Sequence, residues 1–217
     1  MEQTAGAIAT DGRVRRGDIT RRAVLKRAVE VASLDGLDGL TIGQLAKELS
    51  ISKSGLIAHF GTKERLQLDT IRAARRIYAD AVVVEPLRLR AGIGQVWALS
   101  ESWLDYSQRR VFPGGCFFAK ASHDFGGQRG PIHEALAAVR REWLDLIAQT
   151  LADARDAGEI RADTVPEHLA FELDSYLESA NIGSLLGDSE QAYALARRSV
   201  RRLLEQAAAP GVPLPWA

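Results

Sequence analysis

The sequence predicts an all-α fold, with a three-helix helix-turn-helix head and a larger helical body, about nine helices together. Three observations carry this prediction. First, the stretch Thr41 to Lys63, TIGQLAKELSISKSGLIAHFGTK, holds two short helices joined by a tight turn. Second, apolar residues recur at helical spacing along the rest of the chain, and no segment alternates with a strand period. Third, the charge is unevenly spread over a neutral chain of 217 residues. Between Arg13 and Arg76 there are 14 Lys/Arg against 7 Asp/Glu, a balance of +7, and the remainder balances at −7. A basic head on an acidic body is the asymmetry expected of a DNA-binding protein.

Residues 1–17 have no apolar period and contain Gly6, Gly12 and Gly17, so they are expected as an arm. Its Arg13, Arg15 and Arg16 leave two readings open, a solvated tail or a minor-groove reader. Residues 18–62 form the head. A first helix is expected from about Ile19 to Leu34, with Val24, Leu25, Ala28, Val29 and Ala32 as its core face and Asp35-Gly36 as its end. Thr41 and Gln44 fit a capping box, and Ile42, Leu45, Ala46 and Leu49 make one apolar stripe of the second helix. Ser50-Ile51-Ser52 breaks it, with Ser52 placed to cap a third helix from Lys53 to about Phe60. The second helix of such a motif enters the major groove by its N-terminal residues. The DNA-binding candidates are therefore Ser52, Lys53, Ser54, Gly55 and, one turn on, His59; Thr41 and Lys63 join them because they start helices, where phosphates bind.

The string from Ala46 to Leu66, with Ser-Lys-Ser-Gly-Leu-Ile-Ala-His-Phe followed by Gly-Thr-Lys-Glu-x-Leu, resembles the DNA-binding region of TetR/AcrR-family bacterial repressors. The specific match spans roughly residues 20–66, and the helical layout downstream fits the whole chain. The resemblance implies an operator-binding head, a body that dimerises through its last two helices, and an effector cavity in the middle of that body. One position departs from the pattern: Ile57 stands where the family usually has a Tyr whose hydroxyl contacts a backbone phosphate.

Residues 63–209 form the body. A linking helix runs from Lys63 to about Val84 and stops before Pro86. Further helices are expected over 92–110, 116–124, 131–157, from a Thr164–Glu167 capping box to Gly187, and from Asp188 to Ala207. Residues 210–217 are a proline-rich extended tail. The last two helices are apolar over more than one stripe. Either they belong to a single thick core without a partner, or they form a dimer interface, expected as Leu173, Leu177, Ala180 and Gly183 on one helix with Ala192, Ala196, Ser199 and Leu203 on the other. The aromatic residues in the middle of the body are either plain core or the wall of a small-molecule pocket. Under the second reading the effector-binding candidates are Trp97, Trp103, Phe112, Cys116, Phe117, His123, Trp143 and Tyr176. Cys116 is either a buried inert thiol or a reactive sensor.

Enzymatic readings fail. His133-Glu134 is followed by Ala137 where a zincin needs a second His, and Gly92-Ile93-Gly94 lacks its third Gly and a preceding strand. No metal, cofactor or catalytic residue is expected. The acidic start has no apolar h-region and no stretch approaches a bilayer span, so no membrane partner and a cytoplasmic location are expected. The expected partners are double-stranded operator DNA, a second copy of the chain and a small apolar or aromatic effector that releases a repressor. The alternative is a helical DNA-binding module whose body senses a protein.

Overall fold

The computed structural model describes residues 4–216, with side chains described for residue 17 and residues 19–216. Its helices are α1 (Thr4–Asp35), α2 (Ile42–Glu48), α3 (Lys53–Phe60), α4 (Lys63–Tyr78), α5 (Ile93–Gln108), α6 (Phe117–Phe125), α7 (Pro131–Asp156), α8 (Pro166–Leu186) and α9 (Ser189–Ala207). The expected arm is corrected in part, because α1 already begins at Thr4. The side chains of Arg13, Arg15 and Arg16 lie outside the described ones.

In the head, Val24, Ala28, Val29 and Ala32 of α1 are fully buried beside Leu45 of α2, Leu56 and Phe60 of α3 and Leu66 of α4. Such a small head buries little surface by itself, and it leans on α4 through a buried carboxylate. Asp69 of α4 accepts from Arg21 of α1 and from Arg72, with Arg65 at 3.5 Å. Three guanidiniums around one buried carboxylate compensate its desolvation and tie α1 to α4. After Tyr78 the chain continues through one π-helical turn, Ala79–Val83, and a 3-10 turn, Pro86–Arg88. The proline ends the helix where the sequence places its end.

In the body, α8 and α9 pack along each other and both meet α5, while α7 lies between α4 and α8. A buried polar network joins these elements. Asn181 of α8 accepts from the Cys116 amide at 2.9 Å and from the Ser107 hydroxyl at 3.1 Å, and the Tyr193 hydroxyl lies 2.8 Å from Ser107. Gly115, at φ +87, is required there, because a Cβ would stand 2.6 Å from the Asn181 side-chain oxygen. The expected Thr164–Glu167 capping box is not made. Pro166 takes the first helical position of α8 and Val165 stands at its cap without a side-chain hydrogen bond. The tail is docked: Trp216 packs against Trp97, the rings tilted by 55° with centroids 4.7 Å apart, and donates to Glu205 at 3.1 Å.

Candidate nucleic-acid interface and ligand cavity

The recognition helix is built by its cap and two anchors. The Ser52 hydroxyl accepts from the Gly55 amide at 3.1 Å, which satisfies one of the free donors of the first turn. Leu56 and Phe60 are buried in the head. The side chains left outside are Lys53, Ser54, Ile57 and Ala58, at spacings that form one outward stripe. Ile57 is 44% exposed. Gly55 is half-buried, and a Cβ there would stand 3.0 Å from the Ser52 hydroxyl and crowd the cap.

Two DNA-binding candidates, His59 and Lys63, are held by partners within the protein. His59 is half-buried and turned toward α1, where a Cβ on Gly17 would lie 3.7 Å from its ring, and its carbonyl accepts from Arg21 at 2.9 Å. Arg21 also lies over the Phe60 ring at 4.8 Å, so it braces the end of α3. Lys63 is occupied: its ammonium donates to the Asp38 carbonyl at 2.6 Å and pairs with its carboxylate at 3.1 Å. That exposed pair holds the α1–α2 connection to the start of α4. Thr41 is exposed at the cap of α2 and accepts from the Gln44 amide at 3.1 Å; the Gln44 side chain donates to Glu48, so half of the expected capping box is made. Ala58 was not singled out in the sequence, since nothing polar marks it. The Arg21 brace was also not legible, because its partners Asp69 and His59 are distant in the chain.

The body contains a cavity of about 320 Å³ between α4, α5, α6, α7 and α8. Tyr78, Trp103, Phe118 and Trp143 make its aromatic walls, and Cys116, Arg140 and Glu178 also line it. Tyr78 meets Phe118 and Trp143 edge to face, each with ring centroids 5.6 Å apart. Arg140 pairs with the buried Asp174, whose other oxygen accepts from the Trp143 indole at 2.9 Å. Glu178 faces the cavity with no hydrogen bond or ion pair among the described residues. Burial, with the Asp174 charge adding and Arg140 opposing, pushes its carboxyl up to about 7. Burial likewise pushes the Cys116 thiol up to about 12, so it is a neutral wall residue and not a thiolate sensor.

Of the expected effector-binding residues, Trp103, Cys116 and Trp143 line this cavity. The other five do not. Phe112 and Phe117 are fully buried behind it and pack on each other at 5.8 Å. His123 is exposed on α6, Trp97 lies against Trp216 instead, and Tyr176 is half-buried on α8 off the lining. Sequence reasoning missed Tyr78, Phe118, Arg140 and Glu178. Phe118 lies among the aromatic residues of the body and Tyr78 on the linking helix, and nothing in the period marks which faces leave a void.

The cavity is tied to the head by two helices. On α6, Phe118, Ala119 and Ser122 line the cavity, and Asp124 accepts from the Leu37 amide at 3.0 Å. On α4, Tyr78 lines it, and Gln67 donates to the Leu37 carbonyl at 2.9 Å. Both backbone groups of Leu37, in the α1–α2 connection, are thus gripped by helices that reach the cavity. Gly36 beside it has φ +86, and a Cβ there would stand 2.3 Å from the Asp124 carboxylate.

Family comparisons agree with this geometry. Residues 24–69 match the model described as bacterial regulatory proteins, tetR family, and residues 92–200 match the tetracyclin repressor-like C-terminal domain. The chain belongs to the TetR family. It is a DNA-binding transcriptional regulator with the TetR fold, a family of regulators and not of enzymes. No curated protein matches it. A TetR transcriptional regulator from Chloroflexus aurantiacus superposes with a TM-score of 0.80 at 21% identity, over 89% of this chain and 98% of that one. A protein from Saccharomonospora viridis solved in complex with choline gives 0.70 at 19% identity, over 88% and 98%. AibR in complex with isovaleryl coenzyme A and operator DNA gives 0.63 at 17% identity, over 81% and 95%. At these identities the likeness is one of fold.

The expected dimer residues of this TetR chain need correction. Leu173, Leu177, Ala180, Ala196 and Leu203 are buried in the chain's own core, and a Cβ on Gly183 would lie 3.3 Å from Ala192, which makes that pair an α8–α9 contact within one molecule. Ser199 is half-buried on α9. The outward stripe of α8 is instead Phe171, Ser175, Ser179, Ile182 and Leu186, with Leu185 beside it and Leu195 exposed on α9. Leu186 is 86% and Phe171 63% exposed. Ile182 belongs both to this stripe and to the cavity wall. Among the described residues no helix is long and apolar enough to cross a membrane, and no three His, Cys, Asp or Glu side chains gather as a metal site.

Proposed function

We propose that this TetR regulator is a repressor that leaves its operator when a small ligand with an apolar or aromatic body fills the cavity. The observation that carries the reading is the double grip on Leu37. A ligand between Tyr78 and Phe118 touches α4 and α6, and both helices hold the head at their other ends. Such a ligand shifts the head only by binding the non-docking arrangement better. The neighbours solved with choline and with isovaleryl coenzyme A support a small-molecule ligand in this fold. A void of this size favours a small molecule over a protein as what the body senses.

The operator reader is the Lys53, Ser54 and Ile57 stripe of α3, with Thr41 as a phosphate contact. Two copies act together through the outward stripe of α8 and Leu195 of α9, because exposed apolar side chains in a contiguous row mark an interface. Their recognition helices then lie about one DNA turn apart, roughly 34–36 Å.

The test begins with sequencing the genomic fragments that the protein retains. The Lys53→Ala, Ser54→Ala double variant, checked for folding, should bind the recovered operator roughly five- to 150-fold more weakly, as a lost base contact of about 1–3 kcal/mol implies. Unchanged affinity would show that another surface reads the DNA.

A further inference from the structure

We propose that the ligand of this cavity is a small organic cation, an apolar or aromatic body bearing an amine or quaternary ammonium, whose charge is met by Glu178. The inference rests on the effector reading and narrows it. The neighbours' ligands do not choose, since choline is a cation and a coenzyme A thioester an anion. The lining of this chain does.

Three features of the lining agree. Its walls are aromatic, with Tyr78 perpendicular to both Phe118 and Trp143 and Trp103 on a further side. Ring faces attract a desolvated cation and give nothing to an anion. Arg140, the cation of the lining, is paired with Asp174, and its pull on Glu178 is outweighed by the burial of that carboxyl. Glu178 is left as the one lining carboxylate, unpartnered among the described residues. A half-buried carboxylate without a partner is costly, and a ligand cation supplies what the protein withholds.

A pH signature follows. The groups facing Glu178 are Asp174 on its own helix, Arg140 on α7, Tyr78 on α4 and Cys116 ahead of α6; no titratable group of α5 or α6 lines the cavity. Burial pushes Tyr78 and Cys116 upward, so both stay neutral near pH 7. Glu178 titrates there, at about 7 in the empty cavity. A permanently charged ligand binds its ionised form. Affinity must therefore fall as pH drops below that value, approaching about tenfold per unit, and level off above it.

The experiment uses the full-length protein and three probes of matched shape: benzyltrimethylammonium, its neutral carbon isostere neopentylbenzene, and the anion phenylacetate. Binding is read by quenching of tryptophan fluorescence and by thermal shift, from pH 5 to pH 8.5. The expected result is a preference of about tenfold or more for the cation over its isostere at pH 8, lost below pH 6 and abolished in a folded Glu178→Gln variant. Equal or tighter binding of either other probe overturns the proposal. So does a flat pH profile of the unmodified protein, which needs no variant, or a Glu178→Gln variant that keeps the preference. Binding of neopentylbenzene alone refutes the charge inference and leaves the effector reading standing. Failure of all three probes at millimolar concentration refutes the charge inference; a wider ligand screen that also gives neither thermal shift nor operator release refutes the effector reading.

Discussion

Ile57 and Glu178 each show how one side chain sets a property of the molecule. Ile57 sits among the outward residues of α3 with no hydroxyl to offer a phosphate, so Lys53 and Ser54 are left as the polar groups of that stripe. Glu178 sets a stability that depends on pH. Its carboxyl is pushed from an ordinary 4.5 up to about 7 by burial. The raised value means that the folded state holds the proton more tightly than the unfolded one. The resulting stability is complete below pH 4.5 and is lost as pH rises through 7. Glu178→Gln should therefore melt with the unmodified protein at pH 4.5 and several degrees above it at pH 8, since each kcal/mol moves the midpoint of a chain this size by about 2–4 °C. Equal midpoints at pH 8 in differential scanning calorimetry would show that Glu178 is not desolvated.

Among the elements, α8 has most to say, because both of its faces are apolar and only one can enter the core. The face through Leu173, Leu177 and Ala180 packs on α5, α7 and α9, and the face through Phe171, Ile182 and Leu186 is left outside. Replacing the outward residues should act on association and not on folding. Ile182→Glu with Leu186→Glu should sediment as a folded monomer at micromolar concentration where the unmodified protein sediments as a dimer. Leu177→Ala should instead cost about 2–5 kcal/mol of stability by opening a core cavity and leave the dimer in place. A monomeric unmodified protein would remove the dimer reading altogether.

At the scale of the molecule, the proposed coupling of body to head runs through the Leu37 grip. Asp124 is the α6 half of that grip, and a hydrogen bond to a carboxylate contributes about 1.5–3 kcal/mol. In Asp124→Ala an effector should still fill the cavity and raise the melting temperature, because no cavity wall is changed. Its release of the operator should fall several-fold in a fluorescence anisotropy titration. Release equal to that of the unmodified protein would mean that α4, through Gln67, carries the coupling without α6.

The head was legible from local chemistry. Caps at Thr41, Ser52 and Thr62 act within three residues, and the stripe Leu45, Ala46 and Leu56, Phe60 repeats within two turns, so neighbours in sequence are enough to place them. What lay beyond reach was every choice made between residues far apart. His59 turns inward because Arg21 and Gly17 of α1 stand there, and Lys63 is taken by Asp38. Trp97 leaves the aromatic cluster for Trp216 at the far end of the chain. The inward face of α8 and the void beside Glu178 follow from how five helices meet. The sequence by itself determined the helices, most of their ends and the helix-turn-helix head, since those rest on hydrogen bonds and periods a few residues long. Only the tertiary structure decided which apolar face is core, which is left outside and where space remains, because packing is a contest between surfaces that sequence spacing does not rank.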